Sequence, residues 1–264
     1  MAKTSKVKIP KETINSVKDF IDLIESIKTA NEVKENQAEL LFRGQGVDKP
    51  LLPKLSRLHL NGSVSSVEKL ILAEFKRGIL PLTEFKPDNN WDLLALAQHH
   101  GLPTRLLDWT YHALVALWFA VEKPAQKNEK QELENGVVWI LAANVEDFRT
   151  DTEKTDPLSN KITKIFRSSV VSRRISAQAG VFTIHKINKG DKIVRFETHA
   201  GFKNKLTKAI IPPDSFVEIR KQLNILGVNN STVYPDIDGF CKHLERRFSK
   251  LDDEKNKDAR QVAR

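Results

Sequence analysis

The chain has 264 residues, 40% of them hydrophobic, and a formal net charge of +9 at pH 7, which favours acidic partners such as nucleic acid. No apolar run approaches the roughly 20 residues of a membrane-spanning helix, and no apolar segment follows the basic N-terminus, so we expect a cytoplasmic protein with no membrane partner. The single cysteine, Cys241, excludes a disulfide framework and a cysteine-based zinc site.

Apolar periodicity predicts one mixed domain between two polar ends. Helical spacing indicates helices at 11–29, 66–80, 91–99, 113–122 and 215–226, and alternating or β-rich runs indicate strands at 40–43, 136–142, 176–187 and 202–211. These elements follow no βαβ rhythm, so we predict an α+β fold in which helices flank a mixed or antiparallel central sheet. We expect residues 1–12 to be disordered, residues 13–248 to form a single domain, and residues 249–264 to form a charged tail.

The stretch 98–110, QHHGLPTRLLDWT, concentrates polar and ionisable side chains between two predicted helices. Buried His, Arg and Asp side chains cost free energy unless they are paired, so a core segment seldom has this composition. Surface loops seldom place Leu106, Leu107 and Trp109 so close together. Because a fold presents its site on polar residues held between rigid elements, we place the functional site here.

A second candidate element is the apolar run 40–46, which ends in Arg43, Gly44, Gln45 and Gly46. We predict a buried strand ending at Arg43, with glycines where the backbone turns or approaches a ligand closely. The planar guanidinium of an arginine suits a phosphate or a carboxylate. A structural salt bridge is the alternative role for Arg43.

The two adjacent histidines of the 98–110 run leave several roles open. Neighbouring residues on a helix point about 100° apart, so we expect no metal ion shared by His99 and His100. Either ring can serve as an acid or base because histidine titrates near neutrality. The structural alternative is a histidine at the end of a helix, with Gly101 as the first residue beyond it.

Asp108 and Thr110 flank Trp109 just before the next predicted helix. Thr110 suits the N-cap of that helix. Asp108 is a candidate partner for Arg43 or Arg105, or for a ribose hydroxyl. The sequence contains no P-loop, no dinucleotide-binding glycine fingerprint, no His-Glu-x-x-His and no nucleophile elbow.

These segments, taken in order, closely resemble the FRG domain family, named after its Phe-Arg-Gly. The resemblance rests on FRGQ at 42–45, the run 98–110, ALWFA at 116–120, RI at 174–175 with Gln178, Gly180 and Phe182, and PDIDG at 235–239. It spans about residues 20–245. It implies a bacterial or phage-associated protein, often a component of a defence or toxin–antitoxin locus.

A weaker resemblance links the same segments to ADP-ribosyltransferases. Their NAD site begins with a strand ending in aromatic-Arg-Gly, continues with a Ser/Thr strand and an Ala- and aromatic-rich helix, and finishes with a strand bearing Glu. Residues 42–44 are similar to the first element, residues 104–120 to the second and residues 176–182 to the third. Gln178 stands where the family has glutamate, so Asp108 or Glu197 would have to supply the carboxylate that stabilises the ribose as its C–N bond breaks.

The resemblance therefore implies an ADP-ribosyltransferase-like fold for residues 13–248 and NAD as co-substrate, with Trp109 or Tyr111 stacking on its ring. We expect the following catalytic residues: Arg43, His100, Asp108 and Gln178. We expect NAD to contact Phe42, Arg43, Gly44, Gln45, Thr104, Arg105, Trp109 and Thr110.

Three functions follow as hypotheses. The favoured one is a toxin that transfers ADP-ribose to a macromolecule, preferably RNA, because the chain is basic. The alternatives are a nucleic-acid-binding or sensing module without chemistry, and a nuclease that uses His99, His100 and Arg105. Because a toxin must be held inactive in its own host, we expect a cognate antitoxin protein as a partner.

Overall fold

The structure is a computed structural model, and it describes residues 9–32, 38–82, 87–169 and 178–255. Seven strands form one sheet, in the spatial order β1-β7-β4-β2-β3-β6-β5. The strands are β1 (Lys11–Thr13), β2 (Glu39–Gln45), β3 (Leu106–Thr110), β4 (Gly136–Ala143), β5 (Lys164–Phe166), β6 (Gly180–Ile184) and β7 (Leu206–Ile211). The β1–β7 pair is parallel and the other neighbouring pairs are antiparallel. The predicted α+β class with a mixed central sheet is thus confirmed.

Helices cover the sheet and connect its strands. They are α1 (Val17–Glu32), α2 (Val64–Gly78), α3 (Asn90–His99), α4 (Ala113–Val121), α5 (Phe216–Ile225), α6 (Asn230–Val233) and α7 (Ile237–Phe248). Helix α4, ALVALWFAV, is apolar all round because it is buried almost completely against the sheet. Helix α3 begins at the N-cap Asn89, whose side chain accepts hydrogen bonds from the amides of Trp91 and Asp92.

The central strands are apolar on both faces because both faces are covered. On one face, Phe42 of β2 and Ile140 of β4 pack in a core with α1, α4 and α5. On the other face, Leu41 and Trp139 pack with Phe196, which belongs to the segment between β6 and β7. Neighbouring residues of a strand point to opposite faces, so this division follows from the alternation along β2 and β4.

The sheet consists of two halves that meet at a single residue pair. Strand β2 pairs with β4 over its whole length, and β3 pairs with β6 over its whole length. Between β2 and β3, only Phe42 and Thr110 are paired. The two strands therefore diverge on either side of this pair, and the gap that results contains the cavity described below.

The two ends of the described chain differ from the prediction. Residues 11–13 belong to a strand and not to a disordered end, and the first helix begins at Val17. Strand β1 has exposed side chains and is held through its backbone, since Ile14 donates to the Ile210 carbonyl at 2.8 Å. Backbone pairing of a polar edge strand leaves no apolar pattern in the sequence. In the predicted tail, Asp253 forms an ion pair of 2.6 Å with the buried Arg220.

Candidate functional site

A cavity of about 310 Å³ opens where β2 and β3 separate. Helices α3 and α4 contribute to its walls, as do strands β2, β3 and β6. The lining residues are Phe42, Arg43, Gly44, Gln98, His99, Asp108, Trp109, Thr110, Phe119, Gln178, Gly180 and Phe182. Its volume lies at the lower end of the range for small-molecule sites, and its lining combines aromatic walls with a few polar groups, as such sites do.

Arg43 crosses the gap between the two halves of the sheet. Its Nη1 donates a hydrogen bond of 2.6 Å to the main-chain carbonyl of Asp108, and the same atom lies 3.6 Å from the Asp108 carboxylate. Its Nε is buried and has no hydrogen-bond partner among the described residues. Removal from water lowers the pKa of the Arg43 guanidinium, and the neighbouring Asp108 opposes this effect. Arg43 therefore lines the cavity with a guanidinium whose Nε no described residue satisfies and whose pKa desolvation lowers.

A chain of hydrogen bonds through Gln98 on α3 holds the Asp108 side chain in place. The Gln98 amide Nε2 donates to its carboxylate at 2.9 Å. The buried Thr104 hydroxyl donates to Gln98 Oε1 at 2.6 Å and accepts from the Leu106 amide at 3.1 Å. Because Gln98 Oε1 is engaged, its amide group is oriented with the donor towards Asp108. The carboxylate remains about half exposed and can still contact a ligand.

Beside the cavity, Trp109 belongs to a buried polar chain. Its indole Nε1, which can only donate, bonds to Thr183 Oγ1 at 3.1 Å, and this oxygen lies 3.1 Å from Nε2 of the buried His185. The Thr183 hydroxyl, which has one donor and two acceptor positions, thus links the Trp109 indole to the His185 ring. Desolvation, aided by the charges of His199 and Arg43, lowers the pKa of His185 to about 3. This histidine is neutral at physiological pH and fixes the Trp109 ring.

Gln178 and Thr110 also line the cavity and contact each other. The Thr110 hydroxyl donates to the Gln178 carbonyl and accepts from the His112 amide. The Gln178 side chain donates to the carbonyl of Val233 at 3.2 Å. Thr110 is the last residue of β3 and the N-cap of α4 is His112, so the alternative N-cap role predicted for Thr110 is wrong. Residues 176–177 of the predicted third element, and residues 174–175 of the FRG resemblance, lie outside the described residues.

Gly44 lines the cavity, but packing explains why the position requires glycine. A Cβ at this position would overlap the carbonyl oxygen of Ala116 and contact Phe119. The absence of a side chain thus lets α4 lie directly on β2. We expected the glycine to allow a close approach of the ligand. In the structure, the backbone of α4 occupies the space next to Gly44.

Arg105, predicted to contact the ligand, lies in a buried ion pair instead. Its side chain is 3% exposed, and its Nε donates to Glu68 on α2 at 2.6 Å. The Arg105 amide donates to the same carboxylate at 3.0 Å. A buried arginine must be paired, and Glu68 satisfies it away from the cavity. Thr104 is likewise buried and acts on the cavity only through Gln98.

Several other predicted residues are not brought to the cavity. His100 is exposed and is the C-cap of α3, with Gly101 following at φ +80°, so the predicted helix end is confirmed. His99, the last residue of α3, is the histidine that lines the cavity. Gln45 accepts a hydrogen bond of 2.8 Å from Trp139 Nε1. Two further candidates form hydrogen bonds with residues that do not line the cavity. Glu197, the alternative carboxylate, accepts from the Leu51 amide, and the hydroxyl of Tyr111, the alternative stacking residue, accepts from Arg167.

Sequence reasoning missed Gln98, Phe119 and Phe182 as individual site residues. Gln98 stands in the recognised 98–110 run, but its contact with Asp108 depends on how α3 lies against β3. Phe119 is one of several apolar residues on α4, and Phe182 one of several on β6. Nothing in the spacing of these aromatic residues separates the two cavity walls from the core.

Within the described ranges, no group of three or more His, Cys, Asp or Glu side chains is arranged to hold a metal ion. Nor does any helix described by the structure have the length and hydrophobicity needed to cross a membrane.

Comparison with protein families gives a match to the FRG domain at residues 38–129. The matched segment runs from the start of β2 past the end of α4. It includes the lining residues from Phe42 to Phe119, whereas those on and next to β6 lie beyond it. No curated protein and no solved structure matches the chain. The resemblance drawn from the Phe-Arg-Gly and the 98–110 run is therefore confirmed for residues 38–129, which match the FRG domain.

Proposed function

We propose that the cavity binds NAD and that the protein transfers ADP-ribose from NAD to a macromolecular acceptor, preferably RNA. One observation carries the proposal. Arg43 stands at the point where the two halves of the sheet separate, desolvated, with a buried Nε that no described residue satisfies. An arginine in this state suits an anionic or ribose-bearing ligand because each unused N–H is a charge-assisted donor.

The residues around Arg43 fit the nicotinamide–ribose part of NAD. Phe42, Phe119 and Phe182 provide apolar surface for a planar ring. Asp108 and Gln98 offer an acceptor and an amide to ribose hydroxyls, and Arg43 offers donors to a ribose or phosphate oxygen. A cavity of about 310 Å³ suits this half of the dinucleotide, with the rest in the open mouth.

Asp108 is the carboxylate that the proposal assigns to the chemistry. It is the one acidic side chain among the described lining residues, since Gln178 carries an amide. NAD supplies the ADP-ribosyl group and a neutral leaving group, nicotinamide. Transfer replaces the C1′–N bond of the nicotinamide ribose with a bond from C1′ to an acceptor nucleophile, and the electron pair of the broken bond departs with nicotinamide. Asp108 takes the proton of the acceptor, and its negative charge stabilises positive charge on the ribose.

The cavity favours this function over a nuclease. His100 lies outside the described lining, although its ring centroid is 5.1 Å from that of His99, so the histidines alone do not decide against a nuclease. Arg105, which the nuclease hypothesis also uses, is buried with Glu68. A binding module without chemistry is the alternative that the experiment below distinguishes.

The proposal extends to the biological setting. A basic chain favours an RNA acceptor electrostatically. A cytoplasmic transferase of this kind acts as a toxin of a defence or toxin–antitoxin locus, and its host needs a cognate antitoxin that covers the cavity. Failure of neighbouring gene products to bind or inhibit the protein would count against this part of the proposal.

Incubation of the purified protein with NAD labelled in the adenylate part, together with total RNA, DNA or cell protein, tests the proposal. We expect label on one acceptor class, equimolar nicotinamide release, and loss of both in Arg43→Ala and Asp108→Asn. Arg77→Ala, a change of an exposed arginine on α2, is the matched control and should keep full activity. Absence of transfer and of nicotinamide release with every acceptor would refute the proposal, and salt-sensitive RNA binding in the same samples would then indicate a binding module.

A further inference from the structure

A second pocket, of about 190 Å³, lies where α5, α6 and α7 meet the end of α4. Its lining contains three asparagines and a histidine, and it carries more basic than acidic side chains. The four basic residues are Arg220, Lys221, Arg246 and Arg247, and the two acidic ones are Glu122 and Glu254. An excess of positive charge together with neutral hydrogen-bonding groups is the composition that suits an anionic ligand.

The PDIDG motif at 235–239 fixes the helix that supplies half of these cations. Asp236 caps α7 by accepting a hydrogen bond of 2.7 Å from the Gly239 amide. A Cβ at Gly239 would overlap the backbone of the segment before α7, so glycine lets the helix lie directly on this segment. Three residues of α7 line the pocket: His243, Arg246 and Arg247. They are spaced by three and four positions from the first, which places them side by side on the helix.

Acidic residues that follow α7 hold two of the four cations in place. Arg220, whose side chain is 8% exposed, donates to Asp253 at 2.6 Å and to the carbonyl of Val121, the last residue of α4, at 2.8 Å. Arg246 pairs with Glu254 at 2.7 Å. The buried Arg220 Nε has no hydrogen-bond partner among the described residues and lies 3.5 Å from Glu254. The two arginines therefore form a fixed wall of the pocket.

The other two cations differ, because no described carboxylate neutralises them. Lys221 on α5 and Arg247 on α7 are exposed, and neither forms an ion pair within the described ranges. Since both line one small pocket, their charges repel each other. An anion that binds between them relieves this repulsion and gains two charge-assisted contacts.

The second pocket and the candidate cavity are neighbours on α4. Trp118 lines the pocket, and the next residue, Phe119, lines the cavity. The centroids of their rings lie 5.3 Å apart, and both rings contact that of Tyr234, at 5.7 and 6.2 Å. A ligand in the pocket is therefore separated from the cavity by a single cluster of three aromatic rings.

We propose that the second pocket binds a phosphate group of an RNA strand and so holds the acceptor next to the cavity. Lys221 and Arg247 contact the phosphate oxygens from α5 and α7. The inference rests on the proposed function in that RNA is the acceptor. It concerns a site outside the cavity, however, and binding there requires no NAD.

The donors of the pocket suit a phosphodiester chain. Arginine and lysine bind phosphate oxygens, and asparagine amides bond to the phosphates and sugars of nucleic acids. A strand carries further phosphates on both sides of the bound one, so the basic surface of the protein adds to the affinity for a strand. A free nucleotide gains this contribution only in part.

Fluorescence anisotropy of a labelled single-stranded RNA, titrated without NAD at several salt concentrations, tests the inference. We expect the double variant Lys221→Ala with Arg247→Ala to bind at least tenfold more weakly, and its log K to fall less steeply with log salt, by about 1–2 in slope. Both side chains are exposed and unpaired within the described ranges, so the variant should unfold in urea like the unaltered protein.

Lys76→Ala with Arg77→Ala on α2 is the matched control, since it removes two exposed positive charges that do not line the pocket. This variant should bind RNA within about twofold of the unaltered protein. An unaltered protein that does not bind RNA, or equal losses in the two double variants, would refute the inference. Titration with ADP distinguishes the source of the phosphate: binding as tight as that of RNA, and equally weakened by the changes at 221 and 247, would assign the pocket to a free nucleotide and refute the RNA strand.

The outcome is separable from that of the proposed function. RNA binding that depends on Lys221 and Arg247, in a protein that neither binds NAD nor releases nicotinamide, would support the pocket and refute the transferase. Transfer of label to RNA, together with unchanged RNA binding in the Lys221→Ala and Arg247→Ala double variant, would refute the pocket alone.

Discussion

Arg43 Nη1 donates a hydrogen bond of 2.6 Å to the main-chain oxygen of Asp108, across the gap where β2 and β3 no longer pair. A side chain here replaces the backbone ladder that an unbroken sheet would have. The same residue lines the cavity, so one guanidinium both joins the halves of the sheet and supplies the cation of the candidate site. Its Nε has no hydrogen-bond partner among the described residues.

Gly44→Ala should destabilise the protein by about 3 kcal/mol, the upper part of the range for overpacking, because the new Cβ overlaps the backbone of Ala116. A helix backbone cannot move aside as a flexible side chain can. Gly78→Ala at the end of α2 is the matched control, since its Cβ meets no atom within 4 Å, and it should change stability by less than about 1 kcal/mol. Urea unfolding measures both, and equal values would show that Gly44 does not determine the packing of α4.

Arg105→Met should cost about 3–5 kcal/mol of stability because it leaves the Glu68 carboxylate buried without its cation. The double variant Arg105→Met with Glu68→Leu should regain most of this loss. Chemical denaturation of the single and double variants measures the difference. Lys18→Ala removes the exposed Lys18–Asp22 pair and should leave the stability nearly unchanged. An Arg105→Met protein of unaltered stability would contradict the assignment of Arg105 to the core.

The neutral His185 should make the protein less stable in acid. Its pKa is about 3 in the folded protein, below the usual 6.5, so between these values the unfolded chain binds a proton that the folded chain does not. The contribution of His185 to stability is complete above pH 6.5, and it falls as the pH is lowered towards 3, by up to about 1.4 kcal/mol per pH unit.

Urea unfolding at several pH values checks this slope against His185→Gln, which cannot take up the proton. The variant should be less stable at neutral pH but should lose stability less steeply in acid. His100→Gln, a change at an exposed ring, should retain the original slope. Parallel curves for His185→Gln and the unaltered protein would show that His185 is not held neutral.

Thr104→Val should reduce transfer activity although Thr104 does not line the described cavity. The change removes the hydroxyl that holds Gln98 Oε1, so Gln98 no longer presents its amide steadily to Asp108. We expect a lower kcat with little change in KM for NAD, a stability loss of about 1–3 kcal/mol, and recovery of both in Thr104→Ser. If the serine variant were as impaired as the valine variant, the hydroxyl would not be the relevant group.

Local patterns were enough to predict two of the segments that line the cavity. Phe42, Arg43, Asp108 and Trp109 stand in runs whose polar residues neither packing nor solubility requires, and the structure brings all four to one cavity. Gln178, from a distant segment, also lines the cavity, and it was predicted only from the resemblance to known families. The α+β class was also predictable, because the helices and strands differ in their apolar periods.

The remaining features depend on contacts between distant segments. Arg105 and Asp108 look alike in the sequence as ionisable residues of one run, yet one is buried with Glu68 on α2 and the other is half exposed. Which of the two is buried depends on the position of α2, and no spacing in the sequence encodes it. The sequence also does not predict that β2 and β3 separate, because each of these strands is paired over its whole length with another strand, β2 with β4 and β3 with β6.

Direct titration of NAD into the purified protein tests the central claim without knowledge of the acceptor. We predict saturable binding by the unaltered protein and at least tenfold weaker binding by Arg43→Lys, which keeps the positive charge but loses the planar pair of donors. Arg77→Lys on the exposed face of α2 should bind NAD like the unaltered protein. An unaltered protein that does not bind NAD, or an Arg43→Lys variant that binds it with full affinity, would contradict the account.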